Sequence, residues 1–272
     1  MGKIGLLLLF IIVVSSITWS IDAPSKPAKE TLPATKINPK DGAEMVLVPA
    51  GEFLMGSKDD DKLADDNEKP QHKVNLDSYY IYKTEVTVAQ FRKFCHATGR
   101  KSMPPKPKWG WIDNHPIVNV NWNDAKAYAD WAGVKLPSEA QWEKAARGTD
   151  CRIYPWGNEW DGEKCVNCTN SDGGTKPVGS VLAGISPYGC FDMAGNVFEW
   201  CADWYSSNYY NNTPIKNPMG PKTGEFYVLR GGSWNSYGAD GKGCYRCAFR
   251  DYVDPYSIYY NYIGFRCASP VP

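Results

Sequence analysis

Arg230-Gly-Gly-Ser-Trp-Asn235 and, further on, Ile263-Gly-Phe-Arg-Cys267 bracket the stretch that decides how this chain is read. Between them the sequence turns loop-like and carries seven tyrosines: Tyr237, Tyr245, Tyr252, Tyr256, Tyr259, Tyr260 and Tyr262, mixed with Asp, Gly, Ser and Asn. Tyrosine supplies large, rigid, amphipathic contact area at low entropic cost, and small polar residues add adaptable hydrogen bonds. Antibody binding loops use the same mixture. The two brackets read as ordinary regular structure. A binding surface on a rigid scaffold is therefore expected, in preference to a reaction centre.

Outward from this stretch, bulk properties narrow the classes. The chain has 272 residues, enough for one large domain or two small ones with a sizeable core. Lys plus Arg and Asp plus Glu both total 30, so the net charge is zero. A general nucleic-acid or anionic-membrane binder would need a basic excess, and neither partner is expected. The 11 Trp, 17 Tyr, 25 Gly and 20 Pro predict a loop-rich fold cored by aromatic residues.

At the N-terminus, Lys3 precedes the apolar run Ile4–Val14, followed by Ser15, Ser16 and Ser20. This is a signal-peptide pattern over residues 1–20. The run is shorter than the roughly 20 apolar residues of a membrane span; an uncleaved anchor is the alternative, and the one membrane link expected. Residues 21–40 read as a flexible linker rich in Pro, Lys and Thr. The product is expected to be exported, either secreted or held at the cell surface (periplasm or outer membrane in a Gram-negative host). All nine cysteines follow this segment, so disulfides are expected, with at least one thiol left over. Cys165-x-x-Cys168 and Cys244-x-x-Cys247 resemble a zinc-type set, but zinc ligation needs reduced thiolates, which export disfavours.

The middle of the chain reads as a mixed, irregular α/β (α+β) pattern in one domain, residues 41–272. Met45–Val48 and Glu52–Met55 around Pro49-Ala-Gly51 predict a hairpin, Lys58–Asp66 a charged loop, and Val74–Lys83 a strand. Thr87-x-x-Gln90 and Ser138-x-x-Gln141 are capping boxes for helices ending at Gly99 and Gly148. Asn123 is read as the cap of a helix ending at Gly133. Short strands between Gly, Pro and Asn clusters fill the rest.

An ordered series of motifs then carries a resemblance. It runs M-V-L-V-P-A-G-E-F-L-M-G-S (Met45–Ser57), E-V-T-V-A-Q-F (Glu85–Phe91), H-P-I-V-N-V-N-W-N-D-A (His115–Ala125) and K-L-P-S-E-A-Q-W-E-K-A-A-R-G (Lys135–Gly148). P-W-G-N (Pro155–Asn158), D-M-A-G-N-V-F-E-W (Asp192–Trp200), R-G-G-S-W (Arg230–Trp234) and I-G-F-R (Ile263–Arg266) follow. The series resembles the formylglycine-generating enzyme family, which implies a C-type-lectin-like fold over nearly all of the mature chain.

The activity that this resemblance implies meets a departure. The family's oxygenases oxidise a substrate cysteine using copper on two cysteine thiolates that follow G-G-S. Here the first position falls on Ser236 and the second near Gly241 or Lys242. Thiolate pairs hold monovalent copper, so no copper and no catalytic residue are expected. Related enzymes place iron on H-x-x-x-H-x-E, a motif that His72, His96 and His115 do not form. Asp192, Gly195, Val197 and Glu199 match the family's calcium positions, two carboxylates and two carbonyls in a Gly-bearing turn, with Asn167 and Asp172 a poorer match to a second site. Backbone hydrogen bonding by Asp192 and Glu199 is the alternative.

The tail resembles, more narrowly, the variable proteins of diversity-generating retroelements, which set a hypervariable segment between such brackets. Their diversification mutates adenines, mostly in Asn codons ending in a pyrimidine, and such codons cannot become Lys, Glu, Gln, Met or Trp. Residues 235–241 and 251–263 contain none of these, although the five types fill 53 of the 272 positions and about four would be expected at that frequency. The ligand-binding residues expected are Asn235, Tyr237, Asp240, Asp251, Tyr252, Asp254, Tyr256, Ser257, Tyr259, Tyr260 and Tyr262, within a variable region at 230–267. The leading expectation is a non-catalytic surface protein recognising a macromolecule on another cell or surface. A superfamily enzyme with other chemistry and a structural part of a surface assembly are the alternatives.

Overall fold

The computed structural model describes residues 1–2, 34–236, 242–257 and 260–271. The signal-peptide reading and most of the linker therefore lie outside the described residues. Three helices begin on caps built by their own sequence. Thr87 Oγ1 accepts from Gln90 N, and Gln90 Oε1 accepts from Thr87 N, opening α1 (Val88–Thr98). Ser138 and Gln141 do the same for α3 (Glu139–Arg147). Between them, α2 (Trp122–Ala132) starts from Asn121 and not from Asn123. Asn121 Oδ1 accepts from Asp124 N at 2.9 Å, and Asp124 Oδ2 accepts from Asn121 N at 3.3 Å. Asn123 sits inside the first turn, past the position from which a side chain caps the free amides.

The described residues hold β1 (Thr35–Ile37), β2 (Glu44–Val48), β3 (Gly51–Met55), β4 (His72–Leu76), β5 (Tyr79–Tyr82), β6 (Phe198–Trp204), β7 (Tyr227–Arg230), β8 (Asp251–Val253), β9 (Ile263–Gly264) and β10 (Ala268–Pro270). One antiparallel sheet runs β1-β2-β5-β10, joining the start of the domain to its end. β3 and β4 form a two-stranded ribbon.

Three sequence readings are corrected here. Thr35–Ile37, read as linker, is an edge strand whose register pairs Thr35 with Val46. Beside it, the Asn38 side chain donates to Tyr82 Oη at 2.7 Å, so the domain starts before Asp41. Second, β2 and β3 are not a hairpin: β2 pairs with β1 and β5, and β3 pairs with β4. The connecting turn is fastened to α3 instead, where Lys144 Nζ donates to Pro49 O at 2.8 Å and Gly51 O at 2.9 Å. Third, the strand expected over Val74–Lys83 divides into β4 and β5, which enter different sheets.

The third sheet, β8-β7-β6-β9, carries the tail. β7 lies antiparallel to β6 with Glu199 opposite Arg230, and β9 lies parallel to β6 with Glu199 opposite Gly264. Both brackets therefore flank one central strand. The core behind them is aromatic, as composition predicts: Phe91 stacks on Tyr128 at 5.9 Å, and Phe265 meets both rings edge-on. The buried indoles of Trp200 and Trp142 find partners, Trp200 donating to Val120 O at 3.0 Å and Trp142 to Glu199 Oε2 at 2.9 Å.

Candidate ligand-binding face

Four buried arginines hold the tail to the scaffold. Arg266, just past β9, donates through Nε and Nη2 to the two oxygens of Glu199, both at 2.7 Å, and through Nη2 to Phe191 O at 2.8 Å. Arg230, ending β7, pairs with Glu143 and donates to Ala248 O at 2.8 Å and Cys247 O at 2.9 Å. Arg246 grips Glu68 with both terminal nitrogens at 2.5 and 2.6 Å. Arg250 grips Glu139 at 2.7 and 3.0 Å and donates to Asn67 O at 2.7 Å. All four arginines and their carboxylates are almost fully buried. Burial raises the Glu139 carboxyl, but Arg250 and Arg230 outweigh it and hold the group below its usual range. Sequence reasoning missed this frame. Its one visible signal is that four of the chain's eight arginines lie between Arg230 and Arg266.

Against that frame the tail residues divide. Tyr245 is not on the surface: it is fully buried, and its hydroxyl donates to Ser233 O at 3.1 Å and Ser236 O at 3.2 Å. Tyr252 and Tyr256 are 44% and 73% exposed. Asp254 is exposed, its Oδ1 accepting from Tyr256 N at 2.7 Å, while Asp251 and Ser257 are half-buried. Tyr260 and Tyr262 are half-buried, with ring centroids 5.2 Å apart. Asn235 is half-buried, its Oδ1 accepting from Ser233 Oγ at 2.9 Å. Tyr237, Asp240 and Tyr259 lie outside the described residues. Trp234 is half-buried; its indole donates to Asn261 O at 2.9 Å and meets Trp109 edge-on at 5.4 Å. Phe265 is fully buried.

Residues far away in sequence extend the face. Tyr205 stacks on Tyr252 at 3.9 Å, and Phe226 tilts against it at 5.3 Å. On the other side of β7, Tyr227 is sandwiched between Trp122 at 4.0 Å and Trp204 at 3.8 Å. No local motif marks these partners.

The residues read as calcium ligands are engaged with protein groups. Both Glu199 oxygens accept from Arg266, and Oε2 also from Trp142. Asp192 Oδ2 accepts from Gly179 N at 2.6 Å. Asn167 donates to Gly162 O at 2.6 Å, and its Oδ1 accepts from Thr169 Oγ1 at 2.6 Å, which shapes its own loop. Gly195 N donates to Gly231 O at 2.7 Å, and Val197 is fully buried. A cation on Glu199 would displace or face a guanidinium, so this donor set does not fit calcium as the side chains stand. Glu85 and Asp192 form a separate buried carboxyl pair: burial, then the charge of Asp192, pushes Glu85 up, and burial raises Asp192.

The disulfides expected from the sequence are not present at eight of the cysteines. Cys95, Cys151, Cys165, Cys168, Cys190, Cys201, Cys247 and Cys267 are thiols rather than disulfides. Burial pushes Cys165 and Cys247 up to about 12 and Cys190 up to about 11, so these are inert neutral thiols. Among the described residues, no three His, Cys, Asp or Glu side chains gather as a metal site. At the first position of the copper pair, Ser236 Oγ accepts from Ser233 N at 2.9 Å.

A model of the sulfatase-modifying factor enzyme 1-like domain (FGE-sulfatase) matches residues 30–271. The chain belongs to this family. The formylglycine-generating enzyme of Streptomyces coelicolor is 36% identical over 312 residues, which cover 92% of this chain and 96% of that enzyme. The structure of PvdO from Pseudomonas aeruginosa superposes with a TM-score of 0.76 at 30% identity, over 89% of this chain and all of that one. Treponema denticola variable protein 1 superposes with a TM-score of 0.70 at 21% identity, over 88% of this chain and all of that one, which shows a shared fold. The relatives of this chain thus include enzymes, and its fold also serves a variable protein.

Proposed function

We propose that this family member is a non-catalytic receptor that binds a macromolecule, most simply a protein on another cell or surface, through its C-terminal tail. The observation that carries the reading is a contrast in one segment: Arg230, Arg246, Arg250 and Arg266 are locked to buried glutamates, while Tyr252 and Tyr256 between them face solvent. A clamped frame under exposed, rigid aromatics tolerates sequence change on its outer face and keeps its shape. The residue types of 251–263 support diversification of that face: Asp, Tyr, Val, Pro, Ser, Ile and Asn are all reachable from a pyrimidine-ending Asn codon by changing adenines. Such a receptor would act outside the cytoplasm, in keeping with the signal-like residues 1–20.

The deciding observation is genomic. A nearby reverse-transcriptase gene and a near-copy of the tail's coding sequence, differing at adenines, are expected beside this gene; a locus without them overturns diversification. The second reading is an oxygenase, favoured by 36% identity to a formylglycine-generating enzyme. Ser236 at the first thiolate position weighs against it. Incubation with copper(I), oxygen and a sulfatase-type cysteine peptide should give no turnover above a metal-free control; turnover would restore the enzyme.

A further inference from the structure

The aromatic column under the tail has one closed end and one open end. At the closed end, the Arg250 guanidinium lies 5.1 Å from the Tyr205 ring centroid, with its charge met by Glu139. Tyr205 stacks on Tyr252 with centroids 3.9 Å apart and planes within 17°. Among the described residues the column then stops. Phe226 meets Tyr252 only at a tilt of 56°, and Tyr252 remains 44% exposed. A tyrosine ring attracts cations over its face, and a planar guanidinium stacks there better than an ammonium. The column already uses that contact once, inside the protein.

The charge of the tail sequence points the same way. Residues 235–241 and 251–263 contain Asp240, Asp251 and Asp254 and no Lys, Arg or His. Diversification accounts for the missing Lys, which a pyrimidine-ending Asn codon cannot reach. It does not account for the missing His, which one adenine change supplies, or the missing Arg, which two supply. The anionic, aromatic character therefore belongs to this particular tail sequence. Asp254 is exposed two residues from Tyr252, and Tyr256 beside it is more exposed still.

We propose that Tyr252 receives an arginine side chain of the partner protein, with the guanidinium stacked on the open part of its ring and countered by Asp254. This specifies the partner's chemistry and rests on the receptor reading above.

Hexa-arginine, hexa-lysine and hexa-citrulline peptides, titrated calorimetrically into the full chain at low ionic strength, test it. Hexa-arginine should bind more tightly than hexa-lysine, and hexa-citrulline should not bind. Tyr252→Ala should weaken hexa-arginine by about tenfold, within the range of a cation–π contact. Tyr252→Phe should keep most of the affinity, and Asp254→Asn should lower it. Melting curves of the variants confirm that each is folded. Absent hexa-arginine binding, equal affinity for wild type and Tyr252→Ala, or equal affinity for arginine and citrulline peptides would each overturn the proposal. Selection from a random displayed peptide library separates the two levels. Binders that depend on Tyr256 but lack arginine overturn this inference and keep the receptor; binders indifferent to every tail substitution overturn the receptor itself.

Discussion

Arg266 and Glu199 meet side-on beneath the tail, Nε to Oε2 and Nη2 to Oε1 both at 2.7 Å, and neither side chain is exposed. Glu199 sits on the central strand, in register with Arg230 on one side and Gly264 on the other. The pair thus ties the exit of the tail to the strand that also supports its entrance. Removing one partner of a buried, hydrogen-bonded pair strands the other charge, at a cost of about 3–5 kcal/mol. Arg266→Met and Glu199→Gln should each lower the unfolding free energy by that amount, read as a fall in the urea midpoint at unchanged slope. Arg266→Met combined with Glu199→Leu should recover part of the loss, because no charge is then left unpaired. Single variants with midpoints near wild type would show that the pair does not hold the frame.

Exposure divides the tyrosines of the tail, and stability should divide with it. Tyr256→Ala should change stability by about 0.5 kcal/mol or less, as for a surface position, and Tyr252→Ala by about 0.5–1.5 kcal/mol, since it removes the stack on Tyr205. Tyr245→Ala and Phe265→Ala remove fully buried rings and should cost about 3–5 kcal/mol. Tyr245→Phe keeps the ring and loses only the hydroxyl bonds to Ser233 O and Ser236 O, a loss of about 1 kcal/mol. Trp234→Ala should fall between the groups. Thermal melting of this series checks the division; uniform losses across it would make the exposed tyrosines part of the core.

What could be read from the sequence follows from the range of the interactions. The caps at Thr87 and Ser138 are local, spanning three residues, and the structure has both. The aromatic core and the exposure of Tyr252 and Tyr256 follow composition and context. The misread elements depend on distant partners. The supposed hairpin failed because Lys144 and the strands β1, β4 and β5 decide where β2 and β3 go. Thr35–Ile37 looks like linker until β2 lies beside it. Tyr245 shares the composition of its exposed neighbours, and distant partners bury it: it stacks on Trp160 at 5.2 Å and packs with Tyr154, Cys165 and Ala194. The pairing of Arg250 with Glu139, 111 positions apart, has no local signature at all.

Gly195 stands where a chain crossing leaves no room. Its φ is +82°, and a Cβ there would lie 2.2 Å from the Val166 carbonyl oxygen. That approach lets Asn196 N donate to Val166 O at 2.9 Å and joins the loop of Asn167 to the start of β6. Gly195→Ala adds left-handed strain of about 1–2 kcal/mol to a backbone clash that must be relieved by displacement. Destabilisation well beyond 2 kcal/mol is expected in denaturant unfolding. A variant as stable as wild type would mean that the two loops separate freely.

Asp203 gives stability a pH dependence with a defined sign. Burial, and then the neighbouring charge of Glu139, pushes its carboxyl up to about 8, and its Oδ2 accepts from Glu139 N at 2.9 Å. The unfolded chain releases this proton near pH 4, so between about pH 4 and 8 the folded state holds the extra proton. Stability therefore falls as pH rises through that window, with a limiting slope of about 1.4 kcal/mol per pH unit for one proton. Below it, Glu139 acts oppositely: Arg250 and Arg230 overcome its burial and hold it low, so its contribution is lost in acid. Asp203→Asn keeps an acceptor for Glu139 N and removes the titration. Relative to wild type, this variant should gain stability steadily from pH 5 to 8 and level off above. Glu85 and Asp192, also raised by burial, titrate in both proteins and cancel in the comparison. Melting temperatures of the two proteins across pH 5–9 decide the matter: a difference that does not change with pH would mean that Asp203 is ionised throughout.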